Sequence, residues 1–417
     1  MNIKHLALAI FTVSIAGTTV AGGFSLSEQS ISAMGTANAG RASNAQDASV
    51  VYNNPAAMHL LKQTQVTQAV AFIDAQTKIK NVTAPLGGTN DGDMVPHTFI
   101  PAGYFTSGDK GGWAWGLGVY GSFGLKTNYE PTFAGRHLGD KSSVKATTVQ
   151  PTLSYKLNDK VSVGFGPTIN RIEALLTKNL SSVPNIGGGL PGTVLGTTEL
   201  EGDDYGYGYN LGIHAALDAN TSAGVVYRSK VKYKIDDGTL NTTGTGIGPG
   251  TGAGTYTAKT GLSTPESVEM SVSHKLNAHN TVHAGATWTR WSRLKELAVQ
   301  TSHPLVGTTV ETFNWKDSMG YALGMTHACS DKLELRAGIA YDNTPVAPAD
   351  RSVRLPSADR RIVSLGAGYK LSPTRTVDAS YTYVDEETAE VRQTASAYSA
   401  NFHNRASVYG LQFTQKF

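Results

Sequence analysis

The residue types that usually carry out chemistry occur in this sequence, but their spacing does not suit catalysis. Residues 116–121 ("GLGVYG") match the G-x-G-x-x-G pattern, yet they lie inside an alternating stretch and open no helix, so we interpret them as small residues on one strand face. The eleven His residues lack HExxH spacing, and neither a G-x-x-x-x-G-K-[ST] loop nor a G-x-S-x-G elbow occurs. The single Cys329 offers neither an internal disulfide nor a pair of metal ligands. The sequence predicts no enzyme, no cofactor and no metal site.

Apolar residues recur at every second position, which indicates that β-strands position these residues. In residues 205–217 ("YGYGYNLGIHAAL") Tyr, Leu and Ile fall on one face, while Gly, Asn and His fall on the other. Residues 161–169 and 332–341 repeat the pattern, which is typical of strands with one apolar and one polar face. The segments are about ten residues long, whereas strands of soluble sandwiches are nearer five or six. Trp113 and Trp115 fall near a strand end, as in the aromatic girdle of a membrane barrel.

Fourteen such segments are predicted, and an even number of strands is expected when both ends of the chain lie on the periplasmic side of a barrel. Mean hydropathy is only −0.20, but alternating strands average out in such a score. Some connections are tight, such as 156–162, and others are predicted to be long loops, such as 174–204 and 236–264. We therefore predict an all-β fold, a transmembrane antiparallel β-barrel of about 14 strands; a soluble β-helix or sandwich is the alternative. The predicted strands are 66–73, 99–106, 113–123, 147–157, 161–173, 205–217, 221–235, 265–276, 280–291, 318–328, 332–342, 361–371, 375–384 and 407–417.

The N-terminus has the pattern of a secretory signal peptide. Lys4 and His5 precede an apolar run over residues 6–15, and "TTVA" ends in small residues, so we predict cleavage after Ala21. A buried N-terminal helix is the alternative. The formal net charge of +3 is too small to indicate nucleic acid as a partner.

A short helix interrupts the strand pattern in "VVYNNPAAMHLL", residues 50–61. Asn54 is a suitable N-cap and Pro55 a suitable first helical residue. A polar-lined barrel of about fourteen strands encloses an aqueous hole. Residues 22–63 form the one non-strand block able to fill it. The sequence thus predicts three parts: a signal peptide (1–21), a helical hatch that plugs the lumen (22–63) and the barrel (64–417).

Several motifs in the same order resemble the FadL-type long-chain fatty acid transporters of Gram-negative outer membranes. They are "GGFSLSEQS" (22–30), "GTANAGRASNAQDASVVYNNPAAM" (35–58), "YGSFGLKTNYEPTFAG" (120–135), "WKDSMGYALG" (315–324) and "AGIAYDNTPVAPADRSVRLPSADRR" (337–361). The resemblance implies a monomeric, plugged, fourteen-stranded barrel in the outer-membrane lipid. Ligand is caught between extracellular loops, passes to an internal pocket and leaves sideways through an opening made by a kink in the third strand.

The resemblance also implies roles for individual residues. Phe24 and Lys316 match an aromatic residue and a lysine that meet the ligand. Arg171 is the nearest arginine for a second cation, but an offset alignment puts Glu173 at the matching place, and Lys178 is the alternative cation. For the lateral gate we predict Pro101 and Gly103, because proline cannot donate to a sheet ladder. The motif of the hatch comprises Asp47, Asn54, Pro55 and Ala56. Arg351, Asp359 and Arg360 are predicted to form a charge network in the lumen.

The function implied is passive uptake of long-chain fatty acids, and uptake of aromatic hydrocarbons is the alternative within the same fold. Two alternatives of other classes also stay open. A plain structural porin or adhesion protein would share the strand pattern. A barrel lipase can assemble Ser, His and Asn from different strands without any linear motif.

Overall fold

The wall of the molecule is one antiparallel sheet that closes on itself. The computed structural model describes residues 22–181, 194–244, 253–304 and 307–417. The first strand pairs with the last over most of its length, from Gln65 opposite Lys416 to Thr83 opposite Ser399. Closure matters because a strand edge in hydrocarbon would leave unpaired N–H and C=O groups. The predicted signal peptide, with its cleavage after Ala21, lies outside the described residues.

Within the described ranges the sheet contains nineteen strand segments. Five barrel strands are each interrupted once, by a short break between β7 and β8, β9 and β10, β11 and β12, β13 and β14, and β17 and β18, so the barrel has fourteen strands and the predicted fold class is confirmed. The segments are β1 (Gln65–Thr83), β2 (Thr98–Thr106), β3 (Trp113–Asn128), β4 (Lys141–Lys156), β5 (Val161–Ser181), β6 (Val194–Ala216), β7 (Thr221–Arg228), β8 (Val231–Gly244), β9 (Gly254–Thr264), β10 (Ser267–Lys275), β11 (Asn280–Thr289), β12 (Glu296–Thr301), β13 (Thr308–Thr312), β14 (Ser318–Ala328), β15 (Leu333–Asp342), β16 (Arg360–Ser372), β17 (Arg375–Glu386), β18 (Ala389–Gln393) and β19 (Tyr398–Lys416).

Each of the fourteen predicted segments overlaps a different barrel strand, but two predicted long loops are wrong in extent. β5 continues to Ser181 and β6 begins at Val194, so most of residues 174–204 is strand. Likewise, β8 reaches Gly244 and β9 begins at Gly254, inside the predicted loop 236–264. The alternation that indicates a strand weakens there because the outward face of these extensions is polar, as at Glu173, Glu201 and Asp203.

The outer surface of the wall is apolar. Along β3, Trp113, Trp115, Leu117 and Val119 are exposed, and the residues between them are buried. Exposing such a face to water costs roughly 25 cal/mol per Å² of apolar area, a cost that contact with lipid removes. None of the helices in the described part of the chain is long and apolar enough to cross a bilayer.

The lumen holds the N-terminal segment. It contains α1 (Ile31–Met34), α2 (Val50–Asn53) and a 3₁₀ helix (Pro55–Leu60); further 3₁₀ turns are Trp291–Arg293, Pro348–Asp350 and Thr394–Ser396. The N-terminal helices contact strands on several sides of the barrel, among them β1, β3, β6 and β16. We call residues 22–63 the hatch; its division from the barrel at residue 64 stays a prediction.

Candidate functional site

An apolar cavity lies between the wall and the loops that follow β11 and β15. Its inner surface is almost entirely hydrocarbon, supplied by β3 to β6, β8, β9 and β12 and by the loops; β13 contributes Glu311. A cavity of this kind can bind the apolar part of a ligand, because its walls give up no hydrogen bonds. The principal lining residues are Phe24, Leu125, Val144, Ile172, Leu176, Leu200, Ile235, Leu262, Leu294, Leu297, Phe313, Trp315, Val346 and Leu355.

Phe24 brings the hatch to this cavity; the ligand contact that the resemblance implies for it stays a prediction. Its ring lies 5.0 Å from Trp291, 5.7 Å from Phe123 and 6.0 Å from Trp315, measured between centroids. Gly23 precedes it with a φ of +68°, and a Cβ there would lie 2.5 Å from the Trp291 ring. Only glycine therefore allows the chain to turn beneath the indole and to place Phe24 at the apolar cavity.

Arg354 supplies a cation at the same cavity, although sequence reasoning missed it. Its buried guanidinium donates to the hydroxyl of Ser142 (2.9 Å) and to the carbonyls of Thr177 (2.9 Å) and Lys141 (3.3 Å). Burial lowers the pKa of Arg354, and Glu311, which also lines the cavity, opposes that effect. Among the described residues Arg354 has no carboxylate within ion-pair distance. The carboxylates of Glu201, Glu311 and Asp350 also line the cavity, but none of them forms an ion pair with Arg354. The Arg354 guanidinium can therefore still pair with an anionic ligand group.

The two cations implied by the resemblance lie elsewhere. Lys316 is exposed, and it does not line the apolar cavity. Arg171 is 45% exposed on the outward face of β5 and pairs with Asp203 (3.2 Å) and Glu173 (3.2 Å). Neighbouring Ile172 points inward and lines the apolar cavity. The structure thus brings neither Lys316 nor Arg171 to the apolar cavity.

The residues of the predicted charge network brace the loop between β15 and β16. Arg360 pairs with Glu386 (3.1 Å), which lies in the neighbouring strand β17. Arg351 donates to the carbonyls of Glu390 (2.8 Å) and Val346 (3.3 Å). Asp359 instead accepts hydrogen bonds from the hydroxyl of Tyr341 (2.7 Å), near the end of β15, and from the amide of Thr344 (2.8 Å), in the loop.

The hatch motif ties the lumen helices to the wall. The amide nitrogen of Asn54 donates to the carbonyls of Ala42 (2.6 Å) and Ile213 (3.0 Å), and its oxygen accepts from the amide of Ala56 (3.0 Å). Pro55 begins the 3₁₀ helix directly after this cap.

Asp47 makes a second connection between hatch and wall. Its carboxylate accepts from the hydroxyl of Ser32 (2.6 Å), the amide of Ser49 (2.8 Å) and the side chain of Gln412 (2.9 Å) in β19. Asp47 and Asn54 therefore anchor the hatch to two different strands.

A gap in strand pairing lies beside Pro101. β2 pairs with β1 over its full length, but with β3 only through residues 102–106. β3 then bulges at Ser122. There the hatch replaces β2: the Leu26 amide donates to the Ser122 carbonyl (3.1 Å), and the Gly124 amide donates to the Phe24 carbonyl (2.9 Å). Pro101 stands where the pairing of β2 with β3 stops, and Gly103 lies within the paired part.

Burial changes the acidity of one hatch carboxyl group. Glu28 is almost completely buried, and this raises its pKa to about 7. Hydrogen bonds from the amide (2.8 Å) and hydroxyl (3.0 Å) of Ser27 oppose the shift only in part. Within the described ranges, no three His, Cys, Asp or Glu residues are grouped so that they could hold a metal ion.

A closed barrel with an apolar outer surface, a filled lumen and an internal apolar cavity defines the class of outer-membrane channels for hydrophobic compounds. The family model described as outer membrane protein transport protein (OMPP1/FadL/TodX) matches residues 12–417, so the chain belongs to this family. The family consists of transport channels of Gram-negative outer membranes, and the predicted family and location are confirmed.

Individual relatives cover nearly the whole chain. The long-chain fatty acid transport protein of Escherichia coli (strain K12) is 27% identical over 441 residues, which is 99% of this chain and 98% of the relative. Outer membrane protein P1 of Haemophilus influenzae is 28% identical over 460 residues, 98% of each chain.

Solved structures share the fold. A Pseudomonas aeruginosa FadL homologue has a TM-score of 0.86 at 23% identity and covers 95% of this chain and 100% of its own. The Pseudomonas putida toluene transporter TodX has a TM-score of 0.69 at 16% identity, with 94% and 99% covered.

Proposed function

We propose that this protein is a passive channel for long-chain fatty acids, acting as a monomer. The observation that carries the proposal is the combination of an apolar cavity with the buried guanidinium of Arg354, which forms no ion pair with the described residues. A fatty acid has both matching parts. Each buried CH₂ contributes about 0.8 kcal/mol, and a charge-assisted hydrogen bond to the carboxylate adds about 1.5–3 kcal/mol.

The exit we propose is lateral, through the gap beside Pro101. Sideways release keeps the tail out of water, because the ligand passes from the apolar cavity into hydrocarbon. The incomplete pairing of β2 with β3 and the bulge at Ser122 support this route. Phe24 and the chain up to Leu26 occupy the inner side of the gap, so movement of this segment would accompany release. No energy source is required if the product is consumed inside the cell.

Aromatic hydrocarbons are the second candidate, because similar structures include toluene transporters. An uncharged ring would fill the apolar cavity but would leave Arg354 without an anionic partner. The Arg354 guanidinium therefore favours a ligand with an acidic head group.

Competition between oleate and toluene for the purified protein tests the proposal. We expect oleate to bind in detergent micelles and to displace toluene at much lower concentration. Oleate uptake should also be restored in cells that lack their own transporter. Tight toluene binding without oleate binding would show that the second candidate is correct, and release of fatty acid from phospholipid would indicate a lipase.

A further inference from the structure

A second cavity lies between the hatch and the wall; we call it the polar cavity, because charged and hydroxyl side chains line it beside apolar ones. Its volume is about 200 Å³, enough for a carboxylate group and several waters. Ser25 and Leu26 line it from the hatch, and Ser122 and Phe123 line it from the bulged part of β3. The polar cavity therefore adjoins the pairing gap through which we propose that ligand leaves.

Two arginines share one carboxylate at this cavity. Arg41 of the hatch binds Glu269 of β10 through two bonds of 2.8 Å each. Arg228 of β7 binds the same carboxylate at 2.9 Å and donates to the Tyr52 carbonyl at 3.0 Å. All three charged side chains are largely buried and line the cavity. The cluster thus carries one positive charge in excess.

Both guanidinium groups keep a buried donor that has no acceptor among the described residues. These donors are Nη1 of Arg41 and Nε of Arg228. The Tyr52 ring lies 5.4 Å from the Arg41 guanidinium carbon and 4.4 Å from that of Arg228, which stabilises the charges. It leaves both N–H groups without an oxygen acceptor. An unsatisfied buried donor is unfavourable, so the arrangement fits an anion that is bound for part of the time.

The cavity also has acidic groups in its lining. They are Glu28, whose carboxyl accepts from Ser27, and Asp342, which accepts from the amide of Gly22. A carboxylate in the cavity is therefore repelled by ionised Glu28 and Asp342 and attracted by the two arginines. Of the charged groups in the lining, only Arg41 and Arg228 can hold it.

We propose that Arg41 and Arg228 form a relay site, which holds the carboxylate of the fatty acid after it leaves Arg354 and while the tail passes the gap beside Pro101. This inference rests on the proposed function. The relay site removes the need to carry a bare carboxylate through the lumen, where an unpaired charge costs several kcal/mol.

A charge series tests the relay site. Arg41→Gln leaves the pair of Arg228 and Glu269 balanced and removes the excess charge. We expect it to slow oleate uptake in cells about tenfold, because it removes the charge-assisted hydrogen bonds that one guanidinium offers to the carboxylate. Uptake of uncharged oleyl alcohol and equilibrium binding of oleate to the purified protein should stay within twofold. Arg41→Gln combined with Glu269→Gln restores the excess charge and should restore oleate uptake, as should Arg41→Lys. Arg361→Gln, at an exposed arginine, is the matched control.

The outcomes separate the relay site from the proposed function. If the double variant is as slow as Arg41→Gln, or if the alcohol slows equally, the cluster only holds the hatch in place and the relay site is wrong. Normal oleate uptake by Arg41→Gln would also overturn the relay site alone. If the wild type neither binds nor takes up oleate, the proposed function fails, and the relay site with it. Heat-modifiable migration in gels checks that each variant barrel is folded.

Discussion

At the scale of single residues, the side of the wall on which a side chain lies decides its role. In the resemblance, Arg171 aligns near the position of the family's second ligand-binding cation. Successive strand residues point to opposite faces, so an offset of one position moves a side chain from the lumen to the exterior. Arg171 is outside and Ile172 is inside. Phe24 could be predicted as a residue near the ligand from the motif in residues 22–30, and it lines the apolar cavity. Arg354 could not, because only the folded loop shows that its guanidinium is buried without a carboxylate.

Arg354→Gln is predicted to weaken oleate binding about tenfold or more. The amide keeps hydrogen-bonding capacity but loses the charge, and a charged hydrogen bond contributes about 1.5–3 kcal/mol. Toluene affinity should be unchanged, because toluene has no anionic group. Lys316→Gln is the control, since Lys316 is exposed, and it should bind oleate normally. Titration of both variants with oleate in detergent checks this; equal loss in both would restore the role that the resemblance gave to Lys316.

Glu28 is predicted to make stability depend on pH. Its pKa is raised from 4.5 to about 7 by burial, so the folded protein holds a proton that the unfolded chain releases between these values. The contribution of Glu28 to the free energy of unfolding is therefore fully present below about pH 4.5 and is lost as the pH rises through about 7. The loss is at most about 3 kcal/mol. Glu28→Gln should raise the thermal midpoint at pH 8.5 and change it little at pH 5.

Thermal unfolding in one detergent at the two pH values measures the effect. Glu387→Gln, at an exposed carboxyl, is the control and should behave like the wild type at both pH values. A Glu28→Gln protein with the same pH dependence as the wild type would show that other groups cause it.

At the scale of elements, the period of two located every barrel strand but not the full length of each. Apolar and polar residues alternate where one face of a strand contacts lipid. The alternation therefore stops where β5, β6 and β8 extend beyond the membrane. Pro101 indicated a break in pairing from sequence alone, since it cannot donate. The bulge at Ser122 gave no comparable sequence signature. Its position depends on the hatch, whose residues 24–26 take the place of β2 along β3.

Deletion of Ser122 is predicted to block release and to preserve binding. Without the bulge, β3 can continue as a regular strand and pair further along β2, which closes the gap. Oleate uptake in cells should then fall at least tenfold, while the purified protein still binds oleate at the apolar cavity. Deletion of Leu371 removes an irregularity of β16 next to its turn with β17, and β17, β19 and β1 separate it from β2. This control deletion should leave uptake unchanged. Full uptake by the Ser122 deletion would place the exit elsewhere.

At the scale of the whole molecule, barrel and hatch fit because glycines let their backbones approach. A Cβ at Gly224 would lie 1.8 Å from the Ala42 carbonyl oxygen, and one at Gly164 would lie 2.4 Å from the Ala56 amide nitrogen. The need for something to fill a fourteen-stranded barrel could be predicted from the strand count and the helical motif around Asn54. The contacts themselves could not, because they join residues far apart in the chain.

Gly212→Val is predicted to displace the hatch and turn a sealed barrel into a leaky one. A Cβ at Gly212 would lie 2.1 Å from Oδ1 of Asn54, so the valine must push the anchoring asparagine away. Valine itself suits a strand, and the wall should therefore stay intact. In planar bilayers the wild type should show little steady conductance, whereas Gly212→Val should conduct ions as an open pore. Gly261→Val, where the nearest atom is 3.7 Å away, should stay closed. A folded Gly212→Val barrel that does not conduct would mean that the seal does not depend on the contact of Asn54 with β6.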